Sequence, residues 1–213
     1  MVREMKIRSI RGFHDILPES IKRWHYLEDT TRDVFESYGF SEIRIPILEF
    51  TEVFARSIGA STDIVEKEMY TFADRDKSQI TLRPEGTAGV VRSYIEHSMY
   101  ARSPVTKLYY SGMMFRHERP QKGRYRGFYQ IGAELLGPEE PNADAELITM
   151  LMDFFWKVGL TKELKLEISS LGDADCRPAY REKLLEYFRP REDKLCEDCR
   201  RRLASNPLRV LDC

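Results

Sequence analysis

The sequence has only four cysteines in 213 residues, too few and too scattered for a secreted disulfide scaffold. It has no apolar run of about 18 residues, which excludes a transmembrane helix by the usual length argument. Its opening stretch, MVREMKIRSIRGFHD, is too polar for a secretory signal peptide. There is no GxxxxGK(S/T) and no GxGxxG, so neither the common phosphate-binding loop nor the dinucleotide fingerprint applies. Nor is there an excess of charge: 34 Lys and Arg face 35 Asp and Glu, for a net charge of -1. The chain as a whole is therefore no polyanion binder, and any nucleic-acid contact must come from a local patch. These absences leave a protein without a membrane segment, for which a cytoplasmic location is expected.

Hydrophobic residues are 42% of the chain, enough for a packed core. Helical spacing of Ile21, Trp24, Leu27, Thr31, Val34, Phe35 and Tyr38 predicts a helix over 19–38, with Ser20 as N-cap and Gly39 as stop. Alternation of Ile43, Ile45 and Ile47 predicts a half-buried strand. Pro46 lies inside it and lacks the N–H a ladder needs, so the strand belongs at an edge, where a second subunit can pack. Short strands are expected at 69–74 and 79–83, a helix from about 86, strands from 107 and over GFYQIGAELLG, and a helix ending near Gly159. KLEISSLG and the final NPLRVLDC also read as strands. The second of these is cut short, which suggests a longer parent protein. From Asp173 the character changes to short charged helices, so two parts are expected, 1–172 and 173–213.

The loop 116–126 departs strongly from this neutrality. Arg116, Arg119, Lys122, Arg124 and Arg126 stand against one acid, Glu118, for a net of +4. Arginine suits phosphate because its planar fork binds oxygens bidentately and stays charged. The strand that follows places Phe128, Gln130, Gly132 and Glu134 on one face, and Tyr129, Ile131, Ala133 and Leu135 on the core face. The first face reads either as ordinary solvated surface or as a recognition surface. In the second reading Phe128 stacks a base, and Gly132 lets a ligand approach closely. Together the loop and face would bind a nucleoside polyphosphate beside a small polar ligand.

RGFHDILP (11–18), LRPEGT (82–87) and above all FRHERPQKGRYRGFYQIGAE (115–134) resemble the histidyl-tRNA synthetase family of class II aminoacyl-tRNA synthetases. The resemblance implies an α+β fold, an antiparallel sheet flanked by helices, followed by the start of a small helical insertion domain. It implies histidine–tRNA ligase activity in a homodimer, with the stretch around Pro46 at the dimer interface. Histidine is activated by ATP, with Mg²⁺ on the phosphates and no tightly bound cofactor, and then passed to the 3′ end of tRNA(His). By resemblance, Arg116 contacts the α-phosphate and the amino-acid carboxylate, Glu118 lies near the adenine amino group, Arg124 holds the outer phosphates and Phe128 stacks on adenine. Glu85, Thr87 and Gln130 hold the histidine ammonium, Glu134 meets the imidazole, and Gln121 contacts the tRNA acceptor end. From the residues alone, Glu85 also reads as an acid at a helix start.

The chain departs from the family pattern in lacking an RGLDYYTG-like segment, a GGGRYD-like motif 3 and an anticodon-binding domain. It is therefore expected to be nearly inactive in isolation. Two other functions compete: a regulatory paralogue subunit of ATP phosphoribosyltransferase, and a plain RNA-binding module built on the basic loop. Intact FRHERPQKGRYR and LRPEGT argue against the regulator, and the Gln130–Glu134 face argues against the module. Cys176, Cys196, Cys199 and Cys213 are not in a paired zinc spacing, so thiols are expected and no metal is assigned. His14, His25, His97 and His117 are given structural or surface roles, and RRRL (200–203) reads as a solvated helix face.

Overall fold

The computed structural model describes residues 7–58, 65, 68–119, 121–160, 162, 164–170 and 172–212. The chain separates into two units, residues 1–163 and 164–213. In the first unit, helix α1 (Pro18–Ser37) starts with proline at its first position, after Leu17 in an extended conformation. Ser20 is therefore inside the helix and not its cap. Proline's fixed φ suits this position, and its missing N–H costs nothing there. Strands β1 (Ser41–Glu42) and β2 (Leu48–Phe50) follow, then helix α2 (Thr51–Ile58), strands β3 (Tyr70–Ala73) and β4 (Gln79–Leu82), and helix α3 (Thr87–Glu96). Strands β5 (Thr106–Phe115) and β6 (Gly127–Leu136) lead to helix α4 (Pro141–Lys157).

Two three-stranded sheets result, in the orders β1-β5-β6 and β2-β4-β3. Every pairing is antiparallel except β1 with β5, which is parallel. The strand expected across Ile43–Ile47 is interrupted: these residues join neither sheet. Pro46 cannot donate, and the free carbonyls of Ile45 and Pro46 are taken by the side chain of Arg83 at 2.7 and 3.4 Å. Ile45 still turns inward, at 8% exposure, while Ile47 is half exposed.

The β5–β6 hairpin carries a core on each face. Tyr109 packs with Val34, Phe35 and Phe40 from the α1 side and with Met150 and Phe154 of α4. Ile131, Ala133 and Leu135 of β6 join this cluster, whereas Tyr129, expected on the same core face, is 44% exposed and packs on Trp24 instead. On the opposite face Leu108, Tyr110 and Met114 pack with Ile45 and with Val90 of α3. The expectation of a single core face is thus corrected: Phe128 packs against this second cluster, so the face with Gln130 and Glu134 is also partly interior. Polar ties hold the helices in place. Thr30 and Thr31 satisfy their buried hydroxyls on carbonyls one turn back, each at 2.7 Å. Lys107 pairs with Glu146, and the Tyr38 hydroxyl donates to Asp153.

The second unit contains helices α5 (Cys176–Phe188) and α6 (Glu197–Ser205) and two 3-10 turns, Arg189–Lys194 and Pro207–Asp212. Two expected strands are not there. Residues 165–170 have no strand pairing among the described residues, and Leu166 and Ile168 are exposed. Alternation needs a ladder partner, and none of the described residues supplies one. The segment therefore groups with the second unit. NPLRVLDC instead winds into a 3-10 turn, which turns Val210 inward against Cys199 and Leu203. Cys176, Cys196 and Cys199 form no disulfide among the described residues, and Cys213 lies outside them.

Candidate functional site

The cationic loop is a short hairpin between β5 and β6. Gln121 and Arg124 exchange backbone hydrogen bonds at 3.2 and 3.0 Å around Lys122 and Gly123. Gly123 turns the chain at φ +81°, a left-handed geometry that glycine adopts without a steric penalty. Gln121 sits exposed at this tip. The base of the loop is pinned by the N-terminal segment: the amides of Arg126 and Gly127 donate to the carbonyl of Gly12 at 2.9 and 3.1 Å. Phe13 then packs on Phe115 and Tyr70, with ring centroids 6.2 Å away in each case. RGFHDILP thus acts locally as a clamp on the loop, a role the sequence does not announce.

Within the loop, charge is organised around Glu118. Its carboxylate lies 4.0 Å from Arg116 and 3.5 Å from Arg124, and its carbonyl accepts from Arg126 at 3.2 Å. Arg116 is held from several sides. Its amide donates to Arg126 at 2.9 Å, its Nε donates to the Pro84 carbonyl at 2.8 Å, and its guanidinium lies 5.1 Å from the Phe128 ring. Arg124 is far freer, with a side chain 67% exposed against 25% for Arg116. One cation is fixed and the other is able to swing. His117 packs edge-on to Tyr70 and His14 to Tyr125, so both have structural contacts.

Beside the loop, β6 carries Gln130 and Glu134 on one face, and Glu134 meets the start of α3. The Thr87 hydroxyl donates to Glu134 at 2.7 Å. Glu85 accepts the amides of Thr87 and Ala88 at 2.5 and 2.9 Å, so it caps the helix as its alternative reading expected. The Gln130 Oε1 is buried and has no hydrogen-bond partner among the described residues. A buried carbonyl left unpaired costs about 1–3 kcal/mol.

The space above Gly132 is not left for a ligand, as the sequence suggested. Gly132 is the register partner of Tyr110, and a Cβ on it would come within 3.0 Å of the Tyr110 ring and hydroxyl. Gly86 presses the same ring from the α3 side. Tyr110 is 2% exposed, and burial pushes its hydroxyl up to about 12. Gly86 and Tyr110 are site residues that the sequence reading missed. The only signal was the pairing of small residues around one aromatic, which needs the register to be seen.

Burial also raises the Glu134 carboxyl above its ordinary value. The Thr87 hydrogen bond opposes this shift and the nearby charge of Glu85 adds to it. A carboxyl raised in the folded chain contributes most to stability while protonated, below the unfolded value, and that contribution is lost as pH rises through the folded value. Glu134→Gln is therefore expected to raise the melting temperature at pH 7, by roughly 1–3 °C, and to leave it unchanged near pH 4. Paired thermal melts at the two pH values check this. A gain of equal size at both would remove the electrostatic explanation.

The histidyl-tRNA synthetase family model matches residues 12–184. The chain is 61% identical over 207 residues to a histidine–tRNA ligase of Geobacter sulfurreducens, covering 97% of this chain and 50% of that protein. It is 57% identical to the corresponding ligase of Trichlorobacter lovleyi, over 98% of this chain and 50% of that one. The apo S. aureus histidyl-tRNA synthetase structure superposes with a TM-score of 0.74 at 45% identity, over 96% of this chain and 48% of that one. A Bacillus halodurans C protein described as an ATP phosphoribosyltransferase regulatory subunit/histidyl-tRNA synthetase shares the fold, with a TM-score of 0.68 at 23% identity. The chain spans about half the length of the curated relatives it matches.

Proposed function

The chain belongs to the histidyl-tRNA synthetase family, and from that membership we propose that residues 1–163 form the ATP- and histidine-binding part of a histidine–tRNA ligase. The observation that carries this reading is the Gln130 Oε1, buried and without a partner among the described residues, on the same strand face as Glu134, which pairs with Thr87. An ammonium brings three N–H donors and no acceptor, which fits a carbonyl oxygen waiting for a donor. Glu134 then faces the imidazole, whose N–H it accepts. A side chain without an N–H donor in the same place would leave the half-buried carboxyl with Thr87 as its one partner, which is how such a site rejects the wrong amino acid.

The reaction needs no general base, because the attacking histidine carboxylate is already an anion. Its oxygen attacks the α-phosphorus of ATP and pyrophosphate leaves. Arg116 sits where it can bridge the attacking carboxylate and the α-phosphate as charge develops on the phosphorus oxygens. Arg124, two-thirds exposed, would close on the outer phosphates. Glu118 would pass from holding two arginines to meeting the adenine amino group on the face of Phe128. The Mg²⁺ that accompanies ATP would neutralise charge on the phosphates. In the second half-reaction the exposed Gln121 tip meets the acceptor end of tRNA(His).

Exposed Ile47, Leu48 and Phe50 flank Pro46, and this apolar edge fits a second copy of the chain in a homodimer. Residues 173–213 are read as the start of an insertion domain, and a cytoplasmic location follows from the reaction. The test is ATP–pyrophosphate exchange by the full-length enzyme with each amino acid supplied singly. Exchange with histidine alone is expected, with little or none from residues 1–213 by themselves. A folded full-length protein without exchange would favour the regulatory paralogue instead.

A further inference from the structure

Arg83 follows β4 and has no role in the site described so far, yet its bonding is unusual. It is buried at 8% exposure, and no carboxylate pairs with it among the described residues. Its Nε donates to the Met113 carbonyl at 2.9 Å, and its Nη1 donates to the carbonyls of Ile45 and Pro46 at 2.7 and 3.4 Å. Its backbone makes two further ties: the amide donates to Ile47 at 2.9 Å, and the carbonyl accepts from Phe115 at 3.0 Å. One residue therefore stitches the edge segment 45–47 to β5 and joins the two sheets. A buried cation is costly when its partners are only neutral carbonyls. What the guanidinium adds over an apolar side chain is a planar fork that fixes two segments at set distances and angles.

The next residue connects this clamp to the chemistry. Pro84 is fully buried, its φ is fixed by its ring, and its carbonyl holds the Nε of Arg116 at 2.8 Å. The far side of the fork is just as closely defined. A Cβ on Gly112 would come within 3.0 Å of Arg83 Nη2, and Gly112 is the register partner of Gln130. We infer that Arg83 is a positioning residue of the site: by clamping the 45–47 segment and Met113, it fixes the Pro84 carbonyl that aims Arg116. The inference rests on the ATP-site reading only for its catalytic consequence. The geometric part, that Arg83 sets the Arg116 guanidinium, stands apart from it.

Two variants of the full-length enzyme test it. Arg83→Lys keeps the charge and removes the fork, whereas Gly112→Ala keeps Arg83 and crowds its Nη2. Each is expected to lower kcat for histidine-dependent exchange by about 10–100-fold, the scale of a misaimed catalytic group. KM for ATP should rise by less, about threefold, because the Arg116 contact strengthens toward the transition state. The double variant should be little worse than the poorer single one, since both act through one element. A second readout does not depend on activity: the Arg116 Nε–H resonance in ¹⁵N-arginine-labelled protein. In the wild type it should be protected from solvent exchange, and in either variant that protection should be lost. Wild-type kcat and a protected Arg116 Nε–H in folded Arg83→Lys would overturn the inference. So would a loss of activity restored merely by lowering the temperature. If Arg83→Lys does not fold, Gly112→Ala decides alone. If the wild type shows no exchange, the ATP-site reading has failed, and the resonance still decides whether Arg83 aims Arg116.

Discussion

Arg116→Ala is expected to lower kcat for histidine-dependent pyrophosphate exchange in the full-length enzyme by about 10²–10³-fold, the usual cost of removing one preorganised donor. Much of the surrounding structure is spent on this one side chain. Its amide, its Nε and its guanidinium face are each engaged, by Arg126, Pro84 and Phe128. Among the described residues, those contacts leave the terminal nitrogens with one weak charged partner, Glu118 at 4.0 Å. An arginine so fixed costs no reorganisation when charge develops on the α-phosphate. Arg116→Lys should recover little, because an ammonium cannot be held through Nε and also present a bidentate fork. Arg124 offers the contrast. It is exposed and reaches its partner only across the loop, so Arg124→Ala should mainly raise KM for ATP, by roughly tenfold. Steady-state kinetics with ATP varied separates the two. Equal kcat losses for Arg116→Ala and Arg124→Ala would sink the distinction between a fixed and a closing contact.

The second large effect is expected at Gly132. Gly132→Ala places a methyl group within 3.0 Å of the Tyr110 ring and hydroxyl. The ring cannot retreat, because Gly86 presses it from the α3 side and the cluster of Ile45, Val90 and Met114 surrounds it. Overpacking of this kind costs about 1–3 kcal/mol, and urea unfolding should show it as a lower midpoint with an unchanged slope. The same displacement reaches the site, since Tyr110 shares Thr87 with Glu134. Histidine binding should therefore weaken by at least tenfold, measured by calorimetry on protein that is still folded. Gly132→Ala with unchanged stability and affinity would mean that the space above Gly132 is open after all. The outcome thus decides between a pocket for a ligand and a slot for an internal aromatic.

The same comparison shows what could be read along the chain and what could not. The β5–β6 hairpin was legible because its information is local: alternating side chains, a glycine turn, and a burst of arginine between two strands. The family follows from that stretch as well, since FRHERPQKGRYRGFYQIGAE is long and chemically specific. The α1 and α4 helices were legible through their apolar spacing. KLEISSLG and NPLRVLDC misled because period-2 patterns are promises of a ladder. Whether a ladder forms depends on a partner strand far away in sequence, and among the described residues none is paired there.

By itself, then, the sequence determined the chemistry on offer: arginines for phosphate, an amide and carboxylates for a small amino acid, and a proline that keeps an edge open. Tertiary structure alone decided which of these groups are committed and which are waiting. Glu85 is spent on helix amides, Gly132 on Tyr110, and Arg83 on carbonyls from two segments, while the Gln130 carbonyl has no partner among the described residues. The reason is physical. Residue type and local spacing fix what a side chain can donate or accept. Burial and the register of distant strands fix what it finds there.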